Sequence, residues 1–163
     1  MIFRLLLLVF AFAAGNAQAK GHFYGVVTHI ADGDTLWVQP DGRGRPRKLR
    51  IEGIDAPEIC QPGGVSARNQ LAQGVMSQRV EVTVKRRDSY GRGLALIRLG
   101  GKDVGAQMVR SGFAWSYRWH RSAGPYASEE SAARQAHRGI FAGGEPEEPR
   151  IFRKRHGSCQ GAD

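Results

Sequence analysis

Two short acidic stretches and an arginine between them carry the clearest chemistry in the chain: Asp32-Gly33-Asp34-Thr35, then Arg50, then Asp55-Ala56-Pro57-Glu58. Carboxylates from separate stretches, brought together, hold a hard cation through oxygen, which favours calcium or magnesium over zinc. An arginine presents a planar fork that fits phosphate oxygens and stays charged at any working pH. A further carboxylate can take a proton from an attacking water. A second arginine, Arg92, stands in Tyr90-Gly91-Arg92-Gly93. Such a set suits attack on a phosphodiester, an anion whose charge must be neutralised before a nucleophile can approach. The histidines (His22, His29, His120, His137 and His156) show no metal-ligand spacing. Each stretch alone has a plainer reading: Asp32-Gly33 is a hairpin turn, Asp55-Ala56-Pro57-Glu58 a strand end with a proline stop, and Tyr90 to Gly93 another turn.

The elements that must position these residues are legible in outline. Tyr24 to Ile30 and Thr35 to Val38 read as two strands joined at Asp32-Gly33. A basic loop, Arg43 to Pro46, leads to a third strand, Lys48 to Ile54. Ala67, Leu71 and Val75 recur every fourth residue, predicting a helix over about Val65 to Gln78. Val80, Val82 and Val84 alternate with Glu81, Thr83 and Lys85, the pattern of a half-buried strand, and the turn at Tyr90 leads into a fifth strand, Leu94 to Leu99. Asp103 can cap a short helix ending at Ser111-Gly112, and another runs from about Pro125 to His137. Glu129 and Glu130 near its start and Arg134, His137 and Arg138 at its end suit the helix dipole. Beyond Gly143 the Pro-, Glu- and Arg-rich chain, residues 144–163, reads as an extended tail. The fold class is α+β, mainly β: five strands and about three helices, suggesting a small barrel.

The chain opens with a basic start, an apolar run from Leu5 to Ala14 and the small-residue pattern Ala17-Gln18-Ala19, the form of a signal peptide over residues 1–19. The run is shorter than the ~20 residues a membrane span needs. Cleavage after Ala19 would leave a soluble protein, periplasmic or extracellular, without stable membrane association and expected to be a monomer; an uncleaved N-terminal anchor is the lesser alternative. The formal charge of the 163-residue chain is +9; the leader's one charged residue, Arg4, takes this to +8 in the 144 residues that remain. So basic an exported protein meets something acidic, and charge alone does not choose among nucleic acid, polysaccharide and membrane.

In their order and spacing, DGDT, the Arg50 strand ending in IDAPE, YGRGLALI and VRSGFA (Val109 to Ala114) resemble the staphylococcal, or thermonuclease-type, nucleases, from about Val26 through Phe141. The resemblance implies an OB-fold five-stranded barrel over residues 20–143 and calcium-dependent cleavage of DNA and RNA. By position it implies that Asp34 and Asp55 are calcium carboxylates and that Ala56 offers a main-chain carbonyl, where many members carry threonine. It implies Glu58 as the general base, Arg50 and Arg92 as phosphate-binding arginines, and Tyr90 and Tyr117 as substrate neighbours. Glu52 has no counterpart role and reads as a surface or salt-bridge residue. The loop after Glu58 departs from the family's best-known member, with Cys60 and a shorter glycine-rich segment. A noncatalytic nucleic-acid-binding barrel is the alternative function, and a polyanion-binding surface protein would account for the charge but for none of the motifs.

Trp37, Trp115 and Trp119 are open to packing or base stacking, and Trp37, placed in a strand, reads first as a core residue. The runs Lys85-Arg86-Arg87 and Arg153-Lys154-Arg155 read as solvated faces. Cys60 and Cys159, the chain's two cysteines, are expected to pair after export, fastening the tail near Glu58; two unpaired or intermolecular thiols are the alternative.

Overall fold

The structure, a computed structural model, describes residues 21–159, so the expected leader lies outside the described residues. Five long strands form the wall: β1 (Gly21–Ile30), β2 (Thr35–Pro40), β3 (Arg47–Ile51), β5 (Arg79–Arg87) and β6 (Gly93–Leu99). They pair antiparallel in the order β3-β2-β1-β5-β6, and a parallel pairing of β3 with β6, Leu49 opposite Gly93 and Ile51 opposite Ala95, closes the barrel. Alternation puts Leu36, Val38, Leu49, Ile51, Val80, Val82, Ala95 and Ile97 inside. Burying a valine or leucine so completely is worth about 1.5–3 kcal/mol.

Trp37 is not in that core. It lies between inward-facing Leu36 and Val38, so the pleat turns it outward, where His29 meets it edge-on at 4.7 Å and Lys48 lies over its ring. The expected strand from Lys48 to Ile54 is also interrupted. It stops at Ile51, turns at Glu52 and Gly53, and resumes as the two-residue β4 (Ile54–Asp55). Gly53 has φ 84°, a left-handed conformation that glycine reaches without a steric penalty. The turn lifts Asp55 out of the barrel wall and pairs β4 with β8 (Trp115–Ser116). Glu52, displaced from the strand, faces Arg86 at 3.7 Å.

α1 (Gly64–Val75) covers the barrel with Ala67, Leu71 and Val75. The short β7 (Lys102–Asp103) extends β6. Asp103 then caps α2 (Val104–Arg110), accepting the Ala106 amide at 3.1 Å. α3 (Ala127–Gln135) and the 3-10 turn after it enclose a second cluster of Trp115, Ala133 and Phe141. Within α3 Glu130 is buried, accepting the Ser116 amide, Arg118 and Arg134.

The tail is not extended. Pro149 at the first turn, with its preset φ, starts a fourth helix, α4 (Pro149–His156), which buries Pro149 and Phe152. Gln61 Nε2 donates to the Glu147 carbonyl at 2.7 Å, Arg118 pairs with Glu148 at 2.9 Å, and the Cys60–Cys159 disulfide joins Cα atoms 5.9 Å apart. Among the described residues no helix is long and apolar enough to cross a membrane.

Candidate active site

The hairpin β1–β2 ends in the turn that carries Asp34. The Asp34 amide donates to Asp32 Oδ1 at 2.9 Å, an Asx-type turn that fixes the carboxylate's direction. β3, paired with β2 so that Arg50 stands opposite Thr35, brings the guanidinium beside it. Arg50 Nη1 donates to Asp34 Oδ1 at 3.0 Å and Nη2 lies 2.8 Å from Asp34 Oδ2. The same Nη2 donates to Asp55 Oδ1 at 2.7 Å, so one arginine joins the carboxylates of two separate stretches. Thr35 Oγ1 and the Ala56 amide donate to Asp34 at 2.9 and 3.2 Å.

Glu58 follows on the loop into α1. That loop is tightened by the Gln61 amide to the Glu58 carbonyl, 2.8 Å, and by the Glu58 amide to Gln61 Oε1, 3.2 Å. Gly64 opens the helix so close to this loop that a Cβ there would run into the Glu58 carbonyl oxygen. Opposite, Asp88 organises the β5–β6 turn: its Oδ1 accepts the Tyr90 and Arg92 amides, and its Oδ2 accepts Arg92 Nε at 2.7 Å. Arg92 Nη1 reaches Thr35 Oγ1 at 3.4 Å, and its guanidinium lies 5.3 Å from the centre of the Tyr90 ring.

Arg50, Glu58, Arg92, Tyr90 and Tyr117 line one open cleft of about 720 Å³. Asp34 and Asp55 are buried and do not line it, but Arg50 on its wall holds both. Tyr90 is 79% exposed, a ring with one face to offer, and Tyr117 is partly exposed. The structure therefore brings the positions singled out from sequence close together, with Ala56 buried against Asp34 and Cys159, bonded to Cys60, at the cleft's rim.

The cleft also contains a residue that sequence reasoning placed elsewhere. Arg153 on α4 is not part of a solvated face. Its Nη1 donates to Glu58 Oε1 at 2.8 Å and Asp55 Oδ1 at 3.2 Å, and its Nη2 to Asp55 Oδ2 at 3.0 Å. Its neighbours in the run, Lys154 and Arg155, are exposed as expected, as are Lys85, Arg86 and Arg87. The missed signal was the cysteine pair, which already tied this part of the tail to the Glu58 loop. Trp119 is exposed, whereas Trp115 packs edge-on against Phe141.

Burial dominates the electrostatics. Asp34 is 2% exposed, and loss of water pushes its carboxyl from 3.8 up to about 6 although Arg50 pulls the other way. Burial opposes the charge of Arg153 as well, but hydrogen bonds and charge from Asp55, then Glu58, outweigh it and hold the guanidinium protonated. Arg50 is likewise held charged against its burial by Asp34 and Asp55.

The donor set fits an oxygen-bound cation. Asp34 and Asp55 offer carboxylate oxygens, and the upward displacement of Asp34 marks a buried carboxylate whose positive surroundings do not fully compensate it. Among the described residues no three His, Cys, Asp or Glu side chains are placed to hold a metal by themselves. The aspartates would need further oxygen donors, a main-chain carbonyl or water, which suits calcium and magnesium.

The family model described as staphylococcal nuclease homologue matches residues 48–142. The chain is 35% identical over 151 residues to a micrococcal nuclease of Shigella flexneri, covering 85% of each chain. It is 30% identical over 149 residues to an uncharacterized endonuclease of Haemophilus influenzae, covering 91% of this chain and 82% of that one. It is also 33% identical over 110 residues to a probable staphylococcal-like nuclease of rice, of which it spans 29%. The chain thus spans over four fifths of these bacterial relatives and under a third of the plant one. With a closed five-stranded barrel carrying the carboxylates and arginines at one mouth, the chain belongs to the staphylococcal nuclease family and is a nuclease.

Proposed function

We propose that the protein is an exported, calcium-dependent nuclease that hydrolyses the phosphodiester bonds of DNA and RNA. The observation that carries this reading is that Arg50, Glu58 and Arg92 converge on one open cleft, with the buried carboxylates of Asp34 and Asp55 joined to it through Arg50. Asp34 and Asp55, with the Ala56 carbonyl, would hold calcium, which supplies charge to polarise a phosphoryl oxygen. Glu58, at the cleft wall, accepts a proton from the attacking water at Oε1 or Oε2. Arg92, steadied at Nε by Asp88, has Nη atoms directed toward Thr35 and the cleft, where a phosphate oxygen can take them. Arg50 shares its fork between Asp34 and Asp55, so its part is to position the carboxylates as well as to neutralise phosphate. Tyr90 and Tyr117 offer ring faces to the sugar or base beside the scissile phosphate.

Export to the periplasm or the medium is supported by the Ala17-Gln18-Ala19 pattern and by the cysteine pair, which persists in oxidising compartments. The protein acts as a monomer without stable membrane association. Purified protein incubated with single-stranded DNA or RNA should cleave both with calcium and neither in excess EDTA. Full cleavage in EDTA overturns the calcium reading. A noncatalytic nucleic-acid-binding barrel, the other reading of this fold, predicts bound and intact DNA in both conditions.

A further inference from the structure

The carboxylates proposed to hold calcium are already engaged by the protein's own cations. A carboxylate has about four lone-pair directions. Asp34 accepts three hydrogen bonds, from Thr35 Oγ1, Arg50 Nη1 and the Ala56 amide, and forms an ion pair with Arg50 Nη2 at 2.8 Å. Asp55 accepts three, one from Arg50 and two from Arg153. Arg153 reaches them from the other end of the chain, on a helix fastened by the Cys60–Cys159 disulfide, by Gln61 to the Glu147 carbonyl, and by buried Pro149 and Phe152.

We infer that Arg153 is a resident cation of this site: it and a divalent cation exclude one another on Asp55, and the strapped C-terminal helix sets how much calcium is needed to load the enzyme. The inference rests on the proposed calcium site. Charge supports the exchange. Asp34, Asp55 and Glu58 carry three negative charges, which Arg50 and one divalent cation would balance, whereas Arg50 and Arg153 leave one uncompensated. Geometry supports it too. Arg153 Nη1 bridges Asp55 and Glu58, so a single guanidinium engages a proposed metal ligand and the proposed base. In the cation-free state the site is closed on itself; displacement of Arg153 frees both carboxylates together.

The test is direct binding of calcium alone, by isothermal titration of the full disulfide-bonded protein without nucleic acid. Arg153→Gln should bind calcium at least tenfold more tightly than the wild type, with Arg153→Lys, which keeps the charge but not the fork, in between. Lys154→Gln removes the same charge from the exposed side of α4 and should change the affinity less than twofold. The double substitution Cys60→Ser, Cys159→Ser loosens the strap and should shift the affinity toward that of Arg153→Gln. Circular dichroism and thermal melting establish that each variant is folded before titration. Calcium binding by the wild type with equal or weaker binding by folded Arg153→Gln overturns the inference and leaves the calcium site standing. An effect of Lys154→Gln as large as that of Arg153→Gln also overturns it, since long-range charge would then suffice. Absence of calcium binding in every form overturns the inference and the calcium site together.

Discussion

Replacing Asp34 with asparagine should stabilise the cation-free protein at neutral pH, although it removes a carboxylate that accepts three hydrogen bonds and pairs with Arg50 Nη2. The folded-state value of Asp34 lies at about 6, above its ordinary 3.8, because burial outweighs Arg50. A carboxyl whose value is raised by folding binds its proton more readily in the native state. Its contribution is therefore fully present below about 3.8 and is lost as pH rises through about 6. At about 1.36 kcal/mol per pH unit, that interval amounts to about 3 kcal/mol of stability given up by pH 7. Asparagine carries no charge to desolvate. Its Oδ1 can still accept from Thr35 and Arg50 Nη1, but its amide faces the Ala56 amide and Arg50 Nη2, a mismatch of about 1–2 kcal/mol. The expected gain in EDTA at pH 7 is about 1–2 kcal/mol, or roughly 2–8 °C in melting temperature for a domain of this size.

Thermal unfolding followed by circular dichroism, in EDTA at half-unit steps from pH 4 to 8, measures this. The wild type should lose stability between pH 4 and 6.5, and Asp34→Asn should show a shallower slope and the higher melting temperature at pH 7. Calcium at about 100 times its dissociation constant should restore roughly 2.7 kcal/mol to the wild type and little to the variant. A variant that melts below the wild type at pH 7 in EDTA would show that Arg50 overcompensates the Asp34 charge and would refute the reasoning.

Four further variants probe named contacts. Glu58→Gln should lower kcat by roughly 10²–10⁴-fold, and Arg92→Lys should lower it substantially, with the folded circular dichroism spectrum retained; near-normal turnover in either removes that residue from the mechanism. Gly64→Ala drives a methyl into the Glu58 carbonyl and should cost about 1–3 kcal/mol in urea titration while also depressing kcat; an unaltered kcat would show that the Glu58 loop yields without moving its carboxylate. Glu130→Ala leaves the buried Ser116 amide without its acceptor and should cost about 1–3 kcal/mol in the same titration, with cleavage intact well below the melting temperature.

The barrel was legible because its signals are local and repeated. Period-two alternation in Val80, Val82 and Val84 and the four-residue spacing of Ala67, Leu71 and Val75 each report a buried face directly. What misled was context that periodicity does not carry. Trp37 reads as core because a large aromatic in a strand usually packs inward, yet its neighbours Leu36 and Val38 fix the inward face, leaving only the outer one. The strand through Ile54 read as continuous because Glu52-Gly53 is a weak break in sequence; Gly53 at φ 84° turns the chain there, and that break carries Asp55 to the cleft.

Arg153 shows where local reading runs out. In sequence it is one of three consecutive basic residues, and such a run on a polar helix ordinarily faces water. Its partners lie 98 and 95 residues away, at Asp55 and Glu58. Residue type alone does not distinguish Arg153 from Lys154 or Arg155. What distinguishes it is helical phase relative to buried Phe152 and the direction in which Cys159 pulls the chain. The cysteine pair was visible from the start, and it implied that residues near Cys159 lie near Glu58. Three carboxylates at one mouth had the matching requirement, since Arg50 alone leaves them under-neutralised. Joined, the two observations ask for a cation on the tail beside the carboxylates, and a basic run ending four residues before Cys159 supplies the candidates. Which of the three it is depends on the path of α4, and α4 exists because Pro149 starts a helix where composition suggested an extended chain.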